Sequence, residues 1–152
     1  MLRGLDPILS PDLIYALRAM GHGDTITIAD ANFPAESSGP EVVRLDGISA
    51  TDVLRAVMSV MPLDTYVDAP AHVMQVVDAP DTIPEVVKEF QQIINDVADA
   101  PAQIKGLERF DFYDNARKFF RRCADRRNPA VWQYHFEKGR DWQLKMKALL
   151  TQ

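Results

Sequence analysis

The chain has 152 residues, of which 47% are hydrophobic and 26% charged, with a formal net charge of −5. This balance fits one globular domain with its own core, and no apolar run reaches the length of a membrane span. The single cysteine, Cys123, excludes an internal disulfide; no zinc-ligand spacing is present, and no apolar signal segment opens the chain, so the expected compartment is the cytoplasm. In chain order, Ser10-Pro11-Asp12 starts a helix well: a serine N-cap, a proline at the first position, then an acid at the positive helix end. Leu13, Leu17 and Met20 follow at helical spacing, and Gly21 stops the helix. Thr25 to Ala29 is a strand rich in β-branched residues, and Asn32 to Pro40 is a loop. Val42 to Leu45 is a short strand ending at the Asp46-Gly47 turn. Ser49 with Asp52 caps a helix running to Val60.

Further along, His72 to Val77 forms a buried strand, and Pro84-Glu85 opens a helix to about Val97. Its Val86, Phe90, Ile93, Ile94 and Val97 share a face. Gln103 to Leu107 is another strand, and Phe110 to about Ala124 an amphipathic helix. Strands alternating with helices predict an α/β sandwich with a mainly parallel sheet and a single domain over 1–152. No glycine-rich phosphate loop follows a strand, so nothing points to a nucleotide.

Charge divides the chain. Residues 1–120 hold nine Lys/Arg against nineteen Asp/Glu, whereas 121–152 hold eight against three, together with Trp132, Trp142 and Cys123. A basic tail with aromatics is a solvated helix in one reading and a nucleic-acid contact in another; the acidic body argues against nucleic acid.

The stretch that bears most on chemistry is Gly21-His22-Gly23-Asp24, followed by the first strand and Asp30. Histidine is the side chain suited to giving and taking protons near neutral pH, and small neighbours let a substrate approach. Its bland alternative is a cap on the preceding helix's carbonyls. Asp30 ends the strand, where open α/β sheets place ligands; its alternative is an Asx-turn. Arg109 presents a rigid fork of donors, with a surface ion pair as its alternative. His72 reads as a satisfied core or interface histidine, and Phe112 and Tyr113 as core residues at helical spacing.

These residues lie within a wider pattern. Leu9-Ser10-Pro11-Asp12-Leu13, Met20-Gly21-His22-Gly23-Asp24, Ala29-Asp30-Ala31-Asn32-Phe33-Pro34, Gly39-Pro40 with Arg44 and Asp46-Gly47, and Arg109-Phe110 with Phe112-Tyr113 resemble the RbsD/FucU family, nearer its fucose mutarotase branch than its ribose branch. The resemblance covers residues 1–120. It implies a catalytic proton donor at His22 and sugar-binding roles for Asp30 and Arg109. It further implies L-fucose or a related monosaccharide as substrate, no cofactor or metal, no nucleic acid or membrane partner, and self-association, commonly as a decamer. Opening a sugar ring needs one proton delivered to the ring oxygen and one removed from the anomeric hydroxyl, which acid/base groups supply.

The resemblance breaks in the tail. The family ends on a strand whose tyrosine and asparagine complete the sugar site, where this chain has Val131-Trp132-Gln133. Permitted codons for Val131 to Lys138, read one base later, give Tyr-Gly-Asn-Ile-Ile-Leu-Lys-Lys, so residues from about Arg121 onward read as a displaced frame. The other reading is a basic extension evolved for another partner. For the chain as written, a sugar-binding protein with little catalysis is the alternative to an enzyme. Trp132 to Phe136 is expected at a sheet edge in place of the family strand, and Asp141 to Leu150 as an added helix.

Overall fold

The computed structural model describes residues 3–38, 42–117, 121–125 and 133–137. Helix α1 (Pro11–Ala19) begins where its sequence says it should: the Ser10 hydroxyl oxygen accepts the Leu13 N–H at 3.2 Å. A tight turn leads to β1 (Thr25–Asp30), and a single 3-10 turn (Glu36–Ser38) precedes β2 (Val42–Arg44). Helix α2 (Ala50–Met58) starts on Ser49, which accepts the Asp52 N–H at 3.1 Å and donates its hydroxyl to the Asp52 carboxylate at 2.6 Å. Then come β3 (Ala71–Met74), α3 (Glu85–Val97), β4 (Ile104–Leu107) and α4 (Arg109–Arg117). The last two strands are β5 (Arg121–Asp125) and β6 (Gln133–Glu137).

Among the described residues the strands form one sheet in the order β2-β5-β1-β6-β3-β4. All neighbours are parallel except β6, which runs antiparallel between β1 and β3. This is the mainly parallel α/β architecture expected. One sheet face carries Ile26, Ile28, Val43, Ala71, Val73 and Phe136 into the main core, against Leu13 and Leu17 of α1, Val53, Leu54 and Val57 of α2, and Phe90, Ile93 and Ile94 of α3. The other face packs Ala29 and Met74 under Phe112 and Ala116 of α4, with Phe33 and Ala35 closing that cluster. Helix α3 is tied to the edge strand β4 by one side chain: the Gln91 amide donates to the Ala102 carbonyl at 2.8 Å and accepts the Ile104 N–H at 2.9 Å.

Two expectations are corrected. The helix expected from Phe110 to about Ala124 stops at Arg117, and Arg121–Asp125 is a strand. Pairing with both β1 and β2 gives that segment hydrogen bonds on both sides, which outweighs its helical pattern. The strand expected at an edge instead lies inside the sheet, as β6. Its register with β1 sets Phe136 on the core side of the strand, where it is fully buried. The helix expected over Asp141 to Leu150 lies outside the described residues.

Candidate functional site

Chemistry-bearing residues gather at both ends of β1. At its N-terminal end the turn from α1 is locked by Asp24, whose carboxylate accepts the Gly21 N–H at 2.7 Å. Gly23 takes a φ of 82°, which favours glycine. Helix α1 closes on its own backbone, Met20 N–H to the Ala16 carbonyl at 3.1 Å, so it needs no cap from His22. The His22 ring instead meets Asp64: Nε2 lies 2.8 Å from Oδ2. The Asp64 side chain is 1% exposed and that of His22 39% exposed. The other Asp64 oxygen, Oδ1, accepts the Tyr66 N–H at 2.8 Å. Tyr66 sets its ring edge-on to the imidazole, 5.9 Å between centroids.

A buried carboxylate thus holds an exposed imidazole, the arrangement that sets both ring orientation and tautomer. With Nε2 on Asp64, Nδ1 is the nitrogen left to exchange a proton with a bound molecule. Neither Asp64 nor Tyr66 was read as functional from the sequence. The signal was there: Asp64 follows Met61-Pro62-Leu63, and a carboxylate in an apolar run needs a buried partner.

At the C-terminal end, buried Asp30 makes the Asx-turn of its bland reading: Oδ1 accepts the Asn32 N–H at 2.7 Å. The chain then swings Phe33 against Tyr113 of α4, the rings nearly parallel at 6° and 5.8 Å apart. Arg109, on the first turn of α4, has its guanidinium 5.9 Å from the Tyr113 ring centroid and 5.8 Å from that of Phe110. Among the described residues it makes no ion pair, so the surface-pair alternative fails there. Phe112 is core, as expected, whereas half-buried Tyr113 forms a wall shared by the Asp30 loop and Arg109. A cavity of about 210 Å³ opens beside Asp30, lined by Phe33, Ala35, Glu36 and Arg44, with Glu36 and Arg44 paired at 3.0 Å across its rim.

Asp30 and Arg109 therefore share one end of the sheet, and His22 stands at the other. The five steps of β1 from Thr25 to Asp30 span about 17 Å at about 3.4 Å per residue. One monosaccharide cannot touch both ends within one chain. His72, on β3, is partly buried, and burial followed by the charge of Lys105 lowers its pKa from the ordinary 6.5.

Residues 3–123 match the model of the RbsD / FucU transport protein family. The chain is 42% identical over 125 residues to the fucose mutarotase of Mus musculus, covering 78% of this chain and 81% of that protein. It is 41% identical over 120 residues to the L-fucose mutarotase of Haemophilus influenzae strain 86-028NP, covering 79% and 83%. The crystal structure of the fucose mutarotase from Streptococcus pneumoniae in complex with L-fucose superimposes with a TM-score of 0.81 at 34% identity, over 91% of this chain and 98% of that one.

Proposed function

The chain belongs to the RbsD/FucU family, and on that premise we propose how its two clusters work together as a sugar mutarotase. It is an isomerase acting on L-fucose or a related monosaccharide. We assign His22 as the acid/base group, Asp64 as the residue that positions it, and Asp30 with Arg109 as the sugar-holding pair.

The reaction has no net redox change. A proton delivered to the ring oxygen and another taken from the anomeric hydroxyl break the C1–O5 bond and leave an open aldehyde. Rotation about C1–C2 and reversal of the proton transfers close the ring on the other face. An imidazole fixed through Nε2 serves both directions at Nδ1, protonated for opening by acid and neutral for removal of a proton. Such a group contributes typically about 10²–10⁴-fold. Asp30 and Arg109 add binding and orientation through hydrogen bonds to sugar hydroxyls, and the Phe33–Tyr113 wall gives the sugar's apolar ring face a surface to lie on.

The observation that carries this reading is the 2.8 Å contact between an exposed imidazole and a buried carboxylate. The separation of the two ends gives it a second part: the site is completed by self-association, His22 from one copy meeting Asp30 and Arg109 of another. Position 133 lies opposite Ala29, beside Asp30, so the departure from the family pattern falls at the sugar-holding end. The cytoplasm is the compartment this reading assigns, supported by the lone cysteine; among the described residues no helix is long and apolar enough to cross a membrane.

The test is NMR saturation transfer between the α and β anomers of L-fucose. The chain should speed exchange and His22→Ala should abolish that gain. Equal exchange in the variant removes His22 from the chemistry. Sugar binding without faster exchange turns the reading to a monosaccharide-binding protein that has lost catalysis with the family's tyrosine and asparagine.

A further inference from the structure

The carboxylate that orients His22 also fixes a second residue. Asp64 Oδ2 meets His22 Nε2 at 2.8 Å, and Asp64 Oδ1 accepts the Tyr66 N–H at 2.8 Å. One buried group thus sets the backbone of Tyr66 in a constant relation to the imidazole. The Tyr66 ring stands at 80° to the imidazole with 5.9 Å between centroids, and the residue is 67% exposed. An exposed aromatic beside the proton-transfer group offers an apolar body with a polar tip at the place where a substrate must come.

We propose that Tyr66 determines specificity for the sugar's C5 substituent, its ring receiving the methyl group that L-fucose carries there. The inference rests on the mutarotase reading, with His22 acting at the sugar's ring oxygen. That oxygen has two carbon neighbours, C1 and C5. A group that gives it a proton stands about 2.6–3.2 Å away. The methyl on C5 therefore lies two bonds from an atom held against the imidazole. Carbon atoms in contact are about 3.5–4.0 Å apart, and a ring centred 5.9 Å from the imidazole is within that reach.

The chemistry of the sugar says which of its groups faces Tyr66. Carbons C1 to C4 of L-fucose each bear a hydroxyl, and the C5 methyl is its one wholly apolar substituent. C1 also inverts in the reaction, so its hydroxyl needs room on both faces. An aromatic ring gives that hydroxyl little, whereas it takes a methyl out of water. In the assembled site the Phe33–Tyr113 rings come from another copy, and Tyr66 arrives with His22. The two surfaces hold different parts of the sugar: the stacked pair its ring face, Tyr66 its C5 substituent.

The experiment compares two sugars on the full chain. D-Arabinopyranose matches L-fucopyranose at C2, C3 and C4 and carries hydrogen in place of the methyl at C5. Saturation transfer over a range of concentrations gives kcat/KM for anomer exchange of each. The parent should favour L-fucose. Tyr66→Ala should shrink that preference by about three- to tenfold, the worth of one methyl on an apolar surface, through a loss on L-fucose. Tyr66→Phe keeps the ring and should keep the preference. Equal slowing of both sugars in Tyr66→Ala makes Tyr66 a support for His22 alone and overturns the assignment. So does a preference lost in Tyr66→Phe, which would place the effect in the hydroxyl. A parent that speeds both sugars alike overturns the assignment and leaves the mutarotase reading standing, whereas a parent that speeds neither overturns both.

Discussion

The two ends of β1 are built differently. At the N-terminal end a loop carries His22, and one buried carboxylate, Asp64, orients it. At the C-terminal end Asp30 and Arg109 stand on a wall of packed rings, with Phe33 on Tyr113 and Phe112 fully buried beneath them. In the proposed reading the first end moves a proton and needs one well-aimed group. The second, in the same reading, holds a polyhydroxylated ring and needs a rigid surface with several polar groups. On that reading proton chemistry rests on a single contact, whereas sugar recognition is spread over several packed residues.

The sharpest way to break this division is His22→Ala, which should lower anomer exchange by about 10²–10⁴-fold by NMR saturation transfer, together with a loss of stability from the buried Asp64 carboxylate left without its imidazole. Phe112→Ala should act chiefly on stability. Deleting a fully buried aromatic costs about 3–5 kcal/mol in denaturant unfolding. Tyr66→Ala at the other end should stay within about 0.5 kcal/mol, because its ring is exposed.

Arg109→Ala should raise KM for L-fucose by about ten- to a hundredfold, the loss of about 1.5–3 kcal/mol in charged hydrogen bonds. It also tests the division between copies. His22→Ala and Arg109→Ala chains, unfolded together in equal amounts, refolded and assayed at L-fucose far below the raised KM, where each alone exchanges little, should regain about a quarter of parental sites if each site draws on two copies. A mixture as inactive as its components places the whole site within one chain.

Asp64→Asn should reduce kcat by about tenfold or more with little change in KM, since it removes the partner that fixes the His22 ring rather than a sugar contact. The smallest effect concerns His72. Its pKa is lowered in the folded chain, so its contribution to stability is present above pH 6.5 and is lost as pH falls below it through the folded value. His72→Gln should flatten the decline of the melting temperature in that acidic window. An unaltered decline assigns the slope to other groups.

Elements whose signals are local were legible in the sequence. Ser10-Pro11-Asp12 and Ser49 with Asp52 open α1 and α2 because a cap satisfies the helix's own first N–H groups. The apolar stripe of α3 marked the side that buries Phe90 and Ile94. His22, Asp30 and Arg109 were picked out by their motifs. Arg121 to Asp125 was not legible, since its strand form depends on β1 and β2 lying on either side of it. Asp64 was missed for a related reason. Its partner is forty-two residues away, and only the packing of the loop before β3 brings it to His22.

The sequence by itself determined the elements with private hydrogen-bond networks, the apolar faces that must leave water, and the residue types from which acid/base chemistry can be built. The order of strands, the insertion of β6 into the middle of the sheet and the meeting of His22 with Asp64 belong to the tertiary structure. The reason is physical. A helix closes its hydrogen bonds within itself, but a strand takes them from neighbours, so its place and its register belong to the whole chain.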